Sequence, residues 1–205
     1  MLSLLKHDSI LRDKQFRSVL LIEILSIFLS ILAAFWLTNW QEQRKEQSQV
    51  HLAMEQCIQE IRENHRSLEA GIPRHKALRD SLQAYFGKPI DGFALQLIGR
   101  VIPEGGFGPP TLVEMAWKTA QTTGVLQHMD WEQASDLARV YNIQESTLRP
   151  ALEYLREISM SRASFEASLA ESQIMTISVN LTEVVGTEEY LLHEYEQFLA
   201  KYDGE

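Results

Sequence analysis

"SVLLIEILSIFLSILAAFWLTNW" is the sequence of residues 18–40, and Glu23 is the only charged residue in it. Positions 19–37 would form a helix of roughly 28 Å at about 1.5 Å per residue, close to a bilayer core of about 30 Å. A cleaved signal peptide would have a shorter apolar region and a small-residue cleavage site. Here Trp36 and Trp40 follow instead, and indole rings favour the headgroup zone. We therefore predict an uncleaved transmembrane helix over residues 18–40.

The charges that flank this segment predict its orientation. Residues 1–17 contain four Lys or Arg residues, whereas only Arg44 and Lys45 follow the segment within the next 20 residues. The more basic flank of a transmembrane helix tends to stay in the cytoplasm. We expect a short, basic, cytoplasmic segment over 1–17. The C-terminal body would then lie across the membrane, which for a bacterial inner membrane means the periplasm.

Polar and small residues inside the apolar segment follow the spacing of a helix–helix contact. No Lys or Arg lies three or four positions from Glu23, so the carboxyl has no ion pair along its own helix. It is either tolerated near the interface, partly hydrated, or hydrogen-bonds to a partner helix. Alternating steps of three and four residues favour a left-handed packed pair, and small residues let two backbones approach closely. The predicted interface consists of Glu23, Ser26, Ser30, Ala33, Ala34 and Leu37.

The same alternation continues after the membrane segment. Residues 41–70 contain no Gly or Pro, and apolar or aromatic side chains recur at Met54, Ile58, Ile61, His65 and Leu68. This pattern predicts a helical stalk over 41–70. It is either a parallel coiled coil with a second copy or an amphipathic helix covered by the rest of its own chain. The single cysteine, Cys57, would form an intermolecular disulfide in the first case and a small buried residue in the second.

The remainder of the chain is acidic. The formal net charge is −9, and residues 1–39 have four basic and three acidic side chains, so residues 40–205 carry −10. Binding to nucleic-acid phosphates needs a basic stripe that this part lacks, so we expect no nucleic-acid partner. Apolar residues at helical spacing predict an acidic helical bundle over 71–205, with Pro73 in the first turn of one helix and Gly186 before the last. Residues 174–185 also alternate like a strand, but a lone strand has no obvious partner, so we favour a helix.

The stretch over 114–144, "EMAWKTAQTTGVLQHMDWEQASDLARVYNIQ", contains a Trp-x(6)-Gly-x-Leu element followed by a Tyr. Together with the Glu-bearing apolar helix that ends in "NW", it resembles an uncharacterised family of bacterial single-pass membrane proteins. The resemblance covers about 18–70 and 110–145, and it implies location and architecture rather than an activity. The residues that match the element are Trp117, Gly124, Leu126 and Tyr141.

This element also has a physical interpretation as a helical hairpin. Trp117 would be a buried anchor, and Gly124 would provide a left-handed helix C-cap. Leu126 would pack in the turn, and Tyr141 would end the next helix with a hydroxyl group that needs a partner. Core packing is the favoured interpretation, and a ligand pocket near Trp117 and Tyr141 is the alternative.

A search for catalytic or metal-binding patterns finds little. Glu189, His193 and Glu196 share one face of a predicted exposed helix, which is a weak metal pattern, and no nucleophile elbow, HExxH motif or P-loop occurs. We therefore expect no catalytic residues, no cofactor and no metal. The sequence as a whole predicts an all-α, membrane-anchored, non-enzymatic protein. It would be anchored in the lipid bilayer and would act as a scaffold or accessory subunit, by contact with a second copy of itself or with another membrane protein. The alternative is a ligand-sensing helical module.

Overall fold

The first helix, α1, spans Leu2–Gln83 in a computed structural model, which describes residues 2–101, 108 and 110–202, with side chains from residue 18. All regular secondary structure in these ranges is helical, so the protein is all-α, as predicted. The chain divides into two compact units, Met1–Gln49 and Val50–Glu205, and α1 contributes residues to both.

In the first unit, residues 18–40 form an uninterrupted part of α1. Every side chain in this stretch is exposed within the chain. By length and composition, α1 is the one described helix that is long and apolar enough to cross a membrane, and this segment lies near the start of the sequence. An apolar surface that surrounds a helix on all sides is unfavourable in water and favourable in lipid.

In the second unit, α1 is amphipathic, and the rest of the same chain covers its buried side. Of the two interpretations of residues 41–70, the structure agrees from Met54 onward with a helix packed inside its own body. Cys57 is fully buried there, which leaves no surface thiol for a disulfide between copies. Buried positions recur every three or four residues along this side, at Met54, Cys57, Ile61, Asn64, Leu68, Ile72, His75, Leu78 and Leu82, and the adjacent Glu60 and Gly71 are buried as well.

The prediction of a separate helix beginning near Pro73 is wrong, because α1 continues through this proline to Gln83. Proline inside a helix removes one backbone hydrogen bond and is costly. Here Ile72, His75 and Leu78 are buried around it while the Pro73 ring is exposed. The packing of this helix face against the core therefore outweighs the local preference for a break.

Five further α-helices follow in the described part of the body. The left-handed Gly87, with φ of 69°, lies in the turn after α1. The helices are α2 (Ala94–Val101), α3 (Met115–Thr123), α4 (Trp131–Ile143), α5 (Arg149–Ser159) and α6 (Ala170–Tyr202). Short 3₁₀ turns follow α3 and α5, and a π-helical turn over Gln144–Leu148 joins α4 directly to α5.

The last helix confirms one expectation and corrects another. Residues 174–185 are helical, as favoured, because Ile174, Ile177, Leu181 and Val184 are buried at helical spacing. The prediction that the final helix begins at Gly186 is wrong, since α6 passes through this glycine without interruption.

Candidate functional site

The predicted membrane interface lies entirely on α1, where steps of three and four residues place its members along one side. The Ser30 hydroxyl donates a hydrogen bond to the backbone carbonyl of Ser26 at 2.8 Å. Thr38 bonds the carbonyl of Ala34 in the same way at 2.9 Å. These hydroxyl protons are therefore satisfied within the helix. Ser26 and Ser30 offer a partner a small volume and a close backbone approach, while Glu23 is the ionisable group of the set.

The hairpin predicted around Trp117 has the expected geometry. Trp117 is buried in α3, and Gly124 ends that helix with the left-handed conformation expected of a C-cap, φ 72° and ψ 10°. Leu126 is partly buried against the core in the 3₁₀ turn that follows. Tyr141 lies in the last turn of α4, with its ring parallel to that of Trp117 and the two centroids 5.2 Å apart. The sequence element is therefore a packed helical hairpin.

A buried carboxylate from α1 organises this hairpin. Glu60 accepts hydrogen bonds from the Tyr141 hydroxyl at 2.7 Å and from the backbone N–H of Ala116 at 2.9 Å. The Trp117 N–H lies 3.5 Å from the same side chain. Because the first N–H groups of a helix have no intrahelical acceptor, Glu60 acts as a long-range N-cap of α3, and its negative charge favours the positive end of the helix dipole.

An amide pair extends this polar cluster. The Asn64 side chain donates a hydrogen bond to the backbone carbonyl of Val113 at 2.7 Å and accepts one from the Val113 N–H at 2.8 Å. Both backbone groups of Val113 are therefore bonded to Asn64. Gln144 in the π turn accepts hydrogen bonds from Asn64 at 3.3 Å and from the Tyr195 hydroxyl at 2.6 Å. The Glu60 cluster, defined here as Glu60, Asn64, Tyr141, Gln144 and Tyr195, thus links α1, α4, the π turn and α6.

Burial changes the ionisation of Tyr141, a member of this cluster, and of the neighbouring Cys57. Burial, with the nearby Glu60 charge, raises the pKa of the Cys57 thiol to about 12. Burial also raises the pKa of Tyr141 far above its usual value, so its hydroxyl stays protonated and can donate to Glu60. A thiol needs a lowered pKa to be a nucleophile near neutral pH. Cys57 therefore behaves as a small apolar core residue.

The alternative of a ligand pocket near Trp117 and Tyr141 cannot use the space between the two rings, because they stack directly on each other. A surface depression of about 500 Å³ does lie beside Trp117, between α3 and α4. Its other lining residues are mostly polar, and Tyr141 is not among them: Gln121, Ser135, Ala138, Arg139, Asn142 and Glu145.

A buried polar contact outside the Glu60 cluster connects α1 to α6. His75 Nδ1 lies 2.9 Å from both carboxylate oxygens of Glu188, and both side chains are almost fully buried. Sequence analysis found neither member, since each is one polar residue among apolar neighbours and they are 113 positions apart. A polar residue in the buried phase of a long helix is the signal that could have indicated His75.

The three residues of the weak metal pattern on α6 each lie close to a charged or titratable neighbour at the surface. His193 lies 3.8 Å from Glu196, while Glu189 pairs with Lys76 at 2.5 Å. His65 lies 3.7 Å from Glu196. No group of three or more His, Cys, Asp or Glu side chains that could hold a metal ion occurs in the part of the chain that the structure describes.

Comparison with known proteins gives no further identity: no family model, no curated protein and no solved structure matches the chain. The class of protein that the fold defines is an all-α chain with one candidate membrane-spanning helix.

Proposed function

We propose that this chain is a single-pass protein of a bacterial inner membrane, anchored by residues 18–40, whose helical body acts through protein–protein contact as a scaffold or accessory subunit. The observation that carries the proposal is the apolar segment of α1, whose side chains are exposed on every side of the helix. Such a surface needs lipid or another apolar helix around it.

The edge of the segment supports its placement at a membrane boundary. The Arg44 guanidinium lies over the Trp40 ring, 4.0 Å from the centroid, one turn beyond the last apolar residues. A Trp and a cation stacked in this way suit the headgroup zone, where the indole ring is partly buried and the charge faces phosphates. The excess of basic residues over 1–17 supports an orientation with the N-terminal side in the cytoplasm and the acidic body in the periplasm.

Association within the membrane would use the face formed by Glu23, Ser26, Ser30, Ala33, Ala34 and Leu37. The absence of large side chains at Ser26, Ser30 and Ala34 permits close packing, and a protonated Glu23 would hydrogen-bond across the contact. The partner is a second copy of the chain or the helix of another membrane protein.

Cross-linking of the full-length protein in native membranes tests this face. Ser30→Ile should reduce the cross-linked species strongly, because the larger side chain separates the backbones. Phe28→Ile, about 200° around the same helix, is the matched control and should leave cross-linking unchanged. Glu23→Gln should retain association and Glu23→Ala should weaken it. Equal cross-linking in all four variants would contradict the proposed interface and would leave Glu23 as a tolerated interfacial residue.

A further inference from the structure

A cavity of about 680 Å³ opens on the surface of the body, and its lining does not include Trp117 or Tyr141. Its size falls within the range of about 300–1,000 Å³ that is typical of small-molecule sites. Its described walls are the loop before α3, the π turn, α5 and one residue of α1. They are largely apolar, with Pro110, Leu112, Leu148, Leu152, Leu155 and Met160.

A backbone irregularity forms one of these walls. Gln144 and Leu148, the two ends of the π turn, both line the cavity. A π turn replaces the usual hydrogen bonds of an α-helix with a wider and less favourable set, and such turns occur frequently at functional sites. Pro150, the second residue after the turn, cannot donate a backbone hydrogen bond, which favours an irregular hydrogen-bond pattern at this point of the chain.

Among the described residues of the wall, basic side chains outnumber acidic ones. Arg149 and Arg156 on α5 line the cavity at its exposed side, and Glu153 is the one acidic residue of the described wall. Arg149 is paired with Glu114 at 2.8 Å. The Arg156 side chain makes no ion pair with any residue that the structure describes, although residues 40–205 carry a formal charge of −10. An unpaired cation beside an apolar cavity in an acidic body is complementary to an anion that has an apolar tail.

His75 of α1 forms part of the cavity wall. Its Nδ1 lies 2.9 Å from both carboxylate oxygens of Glu188 on α6. Neither residue is part of the Glu60 cluster. This buried contact ties the α1 part of the wall to α6.

From this juxtaposition we propose that the cavity binds a small amphipathic carboxylate, with its alkyl chain against Leu148, Leu152 and Leu155 and its carboxylate at Arg156. The arginine provides two donors in a planar fork, which matches the geometry of a carboxylate. The apolar walls exclude water from the chain and account for most of the binding free energy.

Ligand-observed saturation-transfer NMR with octanoate tests the proposal on the full-length protein in nanodiscs of zwitterionic lipid. Titration should give a saturable signal with the wild type. The affinity for octanoate should be at least tenfold weaker in Arg156→Gln. It should be unchanged in Arg66→Gln, because Arg66 is exposed and lies outside the cavity. Octanol, which has the same chain without the charge, should bind at least tenfold more weakly than octanoate.

Two cavity-filling variants separate specific binding from general partition into lipid. Leu152→Trp and Met160→Trp each place a larger side chain in the cavity and should abolish the octanoate signal, while slow thiol labelling of buried Cys57 confirms that the body is folded. The proposal is overturned by no saturable octanoate binding to the wild type, by equal affinity for octanol, or by unchanged octanoate binding in Arg156→Gln or in both folded tryptophan variants.

Discussion

Two stretches of the same helix differ in the exposure of their side chains and in their hydrogen-bond partners. Over residues 18–40, α1 is apolar on all sides and exposed, and its polar side chains, such as Ser30 and Thr38, bond to their own backbone. Over residues 54–82, α1 is amphipathic and its buried side includes Glu60 and Asn64, which bond to other parts of the chain. One α-helix thus has a segment that is apolar all round and a segment whose buried side is covered by the rest of the chain.

Lipid and water favour different interactions. In lipid, backbone groups must be paired inside the helix, and side chains contribute mainly through packing with a neighbouring helix. In a water-soluble body, apolar burial provides the free energy of folding, while a few buried polar groups fix which segments meet. Glu60 and Asn64 both select the segment over 113–117, so they set the position of the hairpin.

The largest expected effect is the loss of membrane retention when charge enters the apolar stretch. The double variant Phe28→Arg/Leu29→Arg places two guanidinium groups at its centre, at a cost of roughly 5–7 kcal/mol for insertion. We expect most of this variant in the soluble or aggregated fraction after membrane sedimentation. Leu52→Arg, at an exposed leucine of the same helix in the body, is the control and should remain with the membranes. Equal sedimentation of the two variants would remove the distinction between the stretches.

The next effect is on the stability of the body. Glu60→Ala removes the acceptor for Tyr141 and for the first N–H groups of α3, so we expect a loss of about 3 kcal/mol in the free energy of unfolding. Glu63→Ala, at an exposed acid one turn later, should change it by about 0.5 kcal/mol or less. Urea-dependent labelling of buried Cys57 measures both, because the thiol becomes accessible only when the body opens. Similar midpoints for the two variants would mean that Glu60 does not hold the hairpin.

Substitution of two glycines of the body should give smaller changes in the free energy of unfolding, and these changes should have opposite signs. Gly124→Ala forces a side chain into a left-handed conformation and should destabilise the body by about 1 kcal/mol. Gly186→Ala should stabilise it by up to about 1 kcal/mol, since Gly186 is inside α6 and a Cβ there meets nothing within 4 Å. The same urea titration gives both values, and shifts of the same sign would contradict the assigned conformations.

The smallest expected effect depends on pH. Hydrogen bonds from Lys201 and Tyr202 hold the pKa of Asp136 below its usual value of 3.8, despite partial burial. A lowered carboxyl pKa stabilises the fold at pH values above the unfolded-state pKa, and this contribution disappears as the pH falls through the lower folded-state pKa. Asp136→Asn should therefore cost less than about 1 kcal/mol near neutral pH and nothing in strong acid. Asp130→Asn is the control, and a pH-independent cost at Asp136 would exclude the ionic contribution.

The sequence predicts those features of the fold that depend on local or periodic information. The apolar stretch, the all-α class and the left-handed Gly124 each follow from residues close together in the chain. The helix starts placed at Pro73 and Gly186 are wrong because tertiary packing continues both helices through a residue with low helix propensity. Local preference is a weak guide where one face of a long helix is buried.

The polar cluster and the cavity could not be predicted from the sequence for a different reason. The three–four spacing of the sequence predicts Ile58 and His65 on the packed face of α1, whereas the structure buries the adjacent Cys57 and Asn64. Asn64 is buried only because Val113, 49 positions away, pairs with it, and Glu60 depends on Tyr141, 81 positions away. Such partners become neighbours only in the folded chain.

The central claim is that residues 18–40 remain in the mature protein and hold it in a lipid bilayer. Alkaline carbonate extraction of membranes, followed by intact-mass measurement of the protein in each fraction, tests both parts together. We expect the pelleted protein to have a mass that includes residues 18–40. Release of the intact protein into the supernatant, or a mature product that begins after Ala34, would contradict the claim.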